Sequence, residues 1–108
     1  AEKPAKLSEE DLSTKASNDP NFPREKLAID VVNAPYAKEI DDLTQLKGIG
    51  DYTALKLNAI GIQNFRQISN LTDEDIKKVN KAIKFFPGRI ARDKWVEQAK
   101  EKLKDQHD

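Results

Sequence analysis

The stretch that decides the fold is "LKGIGDYTALKLNAIGI", residues 46–62, which holds three of the chain's four glycines. Two of them, Gly48 and Gly50, bracket a single isoleucine, Ile49. Apolar residues lie on both sides at helical spacing: Leu43 and Leu46 before the turn, Ala54, Leu55 and Leu57 after it. The reading is a helix over 41–47, a tight turn, and a second helix from Asp51 to about Ala59. Glycine allows backbone angles closed to other residues, Ile49 pins the turn inward, and Gly61 ends the second helix as a C-cap glycine does.

Outward from this stretch the helical pattern continues. Asn64 is an N-cap for a short helix holding Phe65 and Ile68. Thr72, followed by Asp73, Glu74 and Asp75, starts another whose buried face is Ile76, Val79 and Ile83. Lys77, Lys81 and Lys84 occupy its opposite face. Phe86-Pro87-Gly88-Arg89 reads as a turn, and a last helix from about Ile90 or Asp93 to Leu103 buries Trp95, Ala99 and Leu103. No stretch alternates as a strand would. The expected fold class is all-α: a compact bundle of about five short helices over 41–104, a tail over 105–108, and a partly disordered segment over 1–40. Four of five prolines fall in that first segment. Its composition favours a linker over an N-terminal arm, although Leu27, Ile29, Val31 and Val32 are apolar enough to dock. Ser8 and Asp11 suit a capping box for a helix over 9–16, and Arg24–Asn33 fits either helix or extended chain.

Composition narrows the function. The 108 residues suffice for one domain. Cysteine is absent and the only histidine is His107, which excludes a Cys/His metal site and leaves no nucleophile–base pair. The carboxylates Asp41, Asp42 and Asp73 to Asp75 fall in helix first turns, where the dipole explains them. The expectation is no catalysis, no cofactor, no metal and no small-molecule substrate. No apolar run is long enough to span a membrane, so no membrane contact and a cytoplasmic location are expected. The chain begins with Ala and has no Met, as a processed product or a piece of a longer, possibly membrane-anchored host would.

Net charge is zero, yet unevenly spread. Residues 1–40 carry 6 basic against 8 acidic groups, and residues 41–104 carry 13 against 9. Lys77, Lys78, Lys81, Lys84, Arg89, Arg92 and Lys94 face one local acid, Asp93. A polyanion meets that face rather than the average.

The pattern Leu43-x-x-Leu46-Lys47-Gly48-Ile49-Gly50-x-x-x-Ala54-x-x-Leu57 resembles the helix-hairpin-helix motif. Over residues 41–103 the chain is similar to a small bacterial helix-hairpin-helix (SAM-like) module. Such modules are appended to otherwise unrelated proteins, among them ribosomal proteins, respiratory-chain subunits and membrane-anchored proteins. The resemblance implies a turn that grips a nucleic-acid backbone without reading sequence. On this chain the contacts would be the backbones of Gly48, Ile49 and Gly50, helped by Lys47, Thr53 and Lys56. A second, degenerate hairpin at Phe86–Arg89 would add Lys77, Lys81, Lys84, Arg89 and Arg92. The partner would be a DNA or RNA backbone, with a protein partner or the rest of a host chain as the alternative. Asp51 departs from the pattern: nucleic-acid-binding members often carry proline, lysine or a small polar residue there. Its carboxylate stabilises its own helix start and repels a phosphate.

Overall fold

In a computed structural model, residues 9–84 and 88–106 are described. They form seven α-helices and no strand: α1 (Glu9–Asn18), α2 (Asp30–Asn33), α3 (Asp51–Ala59), α4 (Phe65–Ser69), α5 (Asp73–Ala82), α6 (Arg89–Arg92) and α7 (Trp95–Gln106). Two 3-10 turns, Pro35–Lys38 and Leu43–Gln45, join α2 to α3. Ser8 of the expected cap, Phe86 and Pro87 of the second turn, and His107 and Asp108 of the tail lie outside the described residues.

Capping chemistry sets most boundaries. Asn64 and Thr72 each form a capping box, with Gln67 and Asp75 as the reciprocal partners. Each such cap contributes roughly 1 kcal/mol. Gly61, at φ +100°, closes α3 as a Schellman motif. Its own N–H reaches Asn58 O at 3.0 Å, and the Ile62 N–H reaches Leu57 O at 2.9 Å. Two expected boundaries are corrected. The first arm of the hairpin is only the 3-10 turn Leu43–Gln45, capped by the Asp42 carboxylate on the Thr44 N–H. The last helix is broken in two, because Lys94 takes a left-handed conformation (φ 56°) between α6 and α7.

The core gathers Leu43, Leu46, Ile49, Leu57, Phe65, Ile68, Val79, Ile83, Ile90, Trp95 and Ala99, all buried. The short α4 packs along α7, and Trp95 is fully buried. Ala54, Ile76 and Leu103 are half-buried at its edge.

Residues 29–41 join this core. Ile29 and Val31 are buried within it, and Val32 presses on Gly61, where an added Cβ would come within 2.7 Å of Val32 Cγ1. Two fully buried side-chain amides fix the backbone of this segment. Asn64 Nδ2 donates to Tyr36 O and Glu39 O, both at 2.9 Å. Gln67 Nε2 donates to Val31 O at 2.9 Å and Gly61 O at 2.7 Å. The Asp41 carboxylate accepts from the Phe65 N–H at 2.9 Å. The four apolar residues noted in the sequence supply the drive, and the amides supply the register that composition does not show.

Helix α1 docks separately, on α3. The Tyr52 hydroxyl donates to Asp19 Oδ2 at 2.7 Å, its ring lies against Phe22 at 5.8 Å, and Lys15 Nζ sits 4.3 Å from the ring centre. Loss of water around the phenol, then the Asp19 hydrogen bond, pushes Tyr52 up to about 12. The same bond draws Asp19 below its ordinary value of 3.8.

Two outcomes follow. Gln67→Leu strips the buried Val31 and Gly61 carbonyls of their donor, and urea unfolding will show a loss of roughly 3 kcal/mol; a loss below about 1 kcal/mol would contradict the amide account. The Tyr52 contribution to α1 docking is fully present below pH 10 and is lost as pH rises through about 12. The Asp19 contribution is present above pH 3.8 and is lost as pH falls below it. Chemical shifts of α1 amides will move further at both ends in the wild type than in Tyr52→Phe, where only the titration of the other charged groups remains.

Candidate nucleic-acid interface

The glycine turn is not an isolated loop. Gly48 is left-handed (φ +98°) and is packed against the α6–α7 junction. An added Cβ there would lie 2.5 Å from Asp93 Oδ2 and 3.1 Å from Trp95 Nε1. Beside it, Gln98 on α7 grips the backbone of Lys47 in both directions. The Lys47 N–H donates to Gln98 Oε1 at 2.7 Å, and Gln98 Nε2 donates to Lys47 O at 3.0 Å. Gln98 Nε2 also reaches Asp93 O at 2.7 Å. One side chain therefore ties the first turn to the start of α7.

The two glycines of the turn have different jobs. Gly50 has φ −89°, an extended angle open to any residue, and no atom lies within 4 Å of where its Cβ would be. The expectation that both glycines supply forbidden angles holds for Gly48 alone. Gly50 is the N-cap of α3 and makes no side-chain cap. Ile49 is buried, and its N–H donates to Leu46 O at 3.2 Å within the turn. Asp51 opens α3, half-buried in its first turn.

The cations named from sequence separate into groups. Lys56 stands apart from the turn: Nζ donates to Ile83 O at 3.2 Å, at the C-terminal end of α5, and lies 5.0 Å from the Tyr52 ring centre. A cation there meets the negative end of the α5 dipole. Thr53 is half-buried in the first turn of α3, and the Lys47 side chain is exposed beside Gly48. Lys77, Lys78, Lys81 and Lys84 are exposed on and just after α5. Lys77 Nζ lies 3.7 Å from Glu74, an exposed pair worth at most about 1 kcal/mol. A groove of about 340 Å³ separates this stripe from α6. Ile76, Ile90 and Ala91 make its apolar surface, and Lys77 and Lys81 line it.

Arg89 and Arg92, on α6, converge on Asp93. Arg89 Nε is 3.4 Å from Oδ2, and Arg92 Nε is 3.6 Å from Oδ1. The glycine turn, α6 and the α5 stripe thus adjoin one another in sequence: Gly48 against Asp93, Asp93 under the arginines, and α6 across the groove from the lysines. Sequence reading missed Asp93 and Gln98. A carboxylate amid seven bases was the visible signal for the first; a bond spanning 51 residues leaves none for the second.

Helix, glycine turn, helix and a buried isoleucine between the glycines describe a helix-hairpin-helix unit. The family described as the RS2/RL21/YNQ2 HHH domain matches residues 43–103. The chain belongs to this family. Among its relatives, the small ribosomal subunit protein uS2 of Methylobacterium sp. (strain 4-46) is 47% identical over 60 residues, 56% of this chain and 17% of the relative. The large ribosomal subunit protein bL21 of Chelativorans sp. (strain BNC1) is 42% identical over 82 residues, 76% of this chain and 36% of the relative. The bL21 of Hyphomonas neptunium (strain ATCC 15444) is 45% identical over 65 residues, 60% of this chain and 31% of the relative. The chain thus spans about a sixth to a third of the relatives it matches. The 82 residues matched in bL21 are more than the stretch from Leu43 to the end of the chain holds, so that match takes in part of the docked segment. No solved structure shows a significant match. Among the described residues no helix is long and apolar enough to cross a membrane, and no carboxylate or histidine cluster could hold a metal.

The glycines give a direct test. Gly48→Ala forces a left-handed alanine onto Asp93 and will cost at least about 2 kcal/mol in thermal or urea unfolding. Gly50→Ser supplies a side-chain N-cap in open space and will stabilise by about 0.3 kcal/mol. Equal losses at both positions would contradict the division of roles.

Proposed function

We propose that this helix-hairpin-helix module is a non-enzymatic binder of the RNA backbone, indifferent to sequence and working in the cytoplasm. The observation that carries this reading is the convergence of the glycine turn and the two α6 arginines on one spot, with the exposed α5 lysines across a groove. Cations of this kind neutralise phosphates and release counterions, which gives affinity and salt dependence rather than specificity. The relatives support RNA over DNA, since they are proteins of the two ribosomal subunits. A domain shared by such different hosts fits a general contact with RNA better than one fixed partner.

On this reading Lys77, Lys81, Lys84, Arg89 and Arg92 carry the phosphate contacts, with Lys47 beside the turn. Gly48, Gly50 and Thr53 present the start of α3, whose amides point outward as at any helix N-terminus. Ile49 anchors the turn, and Lys56 serves the packing of α3 on α5. A second reading, a docking module for a protein or for the rest of a longer host chain, has the apolar groove surface of Ile76, Ile90 and Ala91 in its favour.

Titration of a short fluorescent RNA duplex at several salt concentrations separates the two. The wild type will bind with an affinity that falls steeply with salt. Lys77→Ala and Lys81→Ala will each weaken binding several-fold on unrelated sequences and make the log–log salt slope shallower by about one. Unaltered binding in the double variant, or none by the wild type at low salt, would sink the RNA reading. Groove substitutions such as Ile76→Asp would then be tried against protein partners.

A further inference from the structure

Asp93 lies where the glycine turn and the two α6 arginines meet, and its carboxylate has the wrong sign for that place. We propose that Asp93 is a built-in counter-anion: it occupies the arginine site in the free protein, and an RNA phosphate takes its place on binding. The inference rests on the RNA-backbone reading of the same face and adds how that face is regulated.

The geometry is that of an anion site already filled. The two carboxylate oxygens are shared out, Oδ2 to Arg89 at 3.4 Å and Oδ1 to Arg92 at 3.6 Å. A backbone phosphodiester offers two guanidinium groups the same pair of oxygens and the same single charge. The acid sits deeper than its partners. The Asp93 side chain is 21% exposed, against 37% for Arg89 and 69% for Arg92. The arginines are therefore the more accessible partners, which an incoming strand meets more readily than the acid.

The floor of the site is shaped for this acid. Gly48 has no side chain, and a single added carbon would meet Oδ2. The Asp93 backbone is held independently of its carboxylate: its N–H donates to Arg89 O at 2.9 Å, and its C=O accepts from Gln98 at 2.7 Å. The start of α7, two residues on, adds the positive end of a helix dipole. The carboxylate can thus leave the guanidinium groups while the α6–α7 junction stays in place. Both contacts are long and partly solvated, so exchange for phosphate is a modest step.

The test compares Asp93→Asn with Asp30→Asn, which makes the same change of net charge at an exposed position on α2. Binding of the labelled RNA duplex is measured across a salt series, with an amide spectrum of each variant as a check on folding. Asp93→Asn will bind at least fivefold tighter at low salt and steepen the salt slope by about one, while Asp30→Asn will change affinity less than twofold. Equal gains in both variants, or none in Asp93→Asn, would overturn the inference and leave the RNA reading standing. Absence of binding by wild type and variant alike would overturn both. A measurement on the wild type alone covers a variant that folds poorly. The side-chain carboxyl carbon of Asp93 and the Nε–H signals of Arg89 and Arg92 will shift together as RNA is added. A stationary Asp93 signal at saturation would refute the exchange.

Discussion

The reciprocal grip of Gln98 on the backbone of Lys47 is the constraint on which this structure turns. A hairpin whose first arm is three residues of 3-10 turn cannot hold its own shape, because so short a segment forms few internal bonds. The turn is held instead from outside. Gln98 fixes the chain just before Gly48, Asp93 and Trp95 close over Gly48 itself, and Ile49 anchors the far side in the core. Each neutral hydrogen bond of this kind contributes only about 1 kcal/mol. Their combined effect is geometric: the glycine turn and the α6–α7 junction become one surface.

That surface is electrostatically divided. Apart from Lys47, its cations lie on or just after α5 and on α6, while two carboxylates flank the turn, Asp51 at the head of α3 and Asp93 against Gly48. In the general helix-hairpin-helix logic the turn grips the backbone. On the proposed reading, the balance of charge moves the grip toward α6 and the lysine stripe of α5. Asp51 stabilises its own helix by roughly 0.3–1 kcal/mol and discourages a phosphate at the same place.

Much of the helical framework was legible because its signals are local. Asn64 and Thr72 announce caps, Gly61 announces a helix end, and the spacing of Trp95, Ala99 and Leu103 marks a buried stripe. Most of the shortfalls share one cause: side chains that act on backbone far along the chain. Asn64 reaches Tyr36 and Glu39, Gln67 reaches Val31, and Gln98 reaches Lys47. A polar residue bonding a distant carbonyl looks, in sequence, like any solvated amide. Lys56 shows the same limit: its position beside the turn suggests a ligand, and its ammonium also bonds the Ile83 carbonyl at the end of α5. The break between α6 and α7 was hidden because a left-handed lysine carries no marker comparable to glycine.

The central claim is that the glycine turn and the α6–α7 junction act as one nucleic-acid-binding surface. Amide chemical shifts of the intact chain, followed as a short RNA duplex is added, test it most directly. Signals from Gly48 to Thr53 and from Arg89 to Lys94 should move together along a single binding curve, with Lys77 and Lys81 on the same curve. Movement of one group without the other, or shifts confined to the α1 face, would contradict the account.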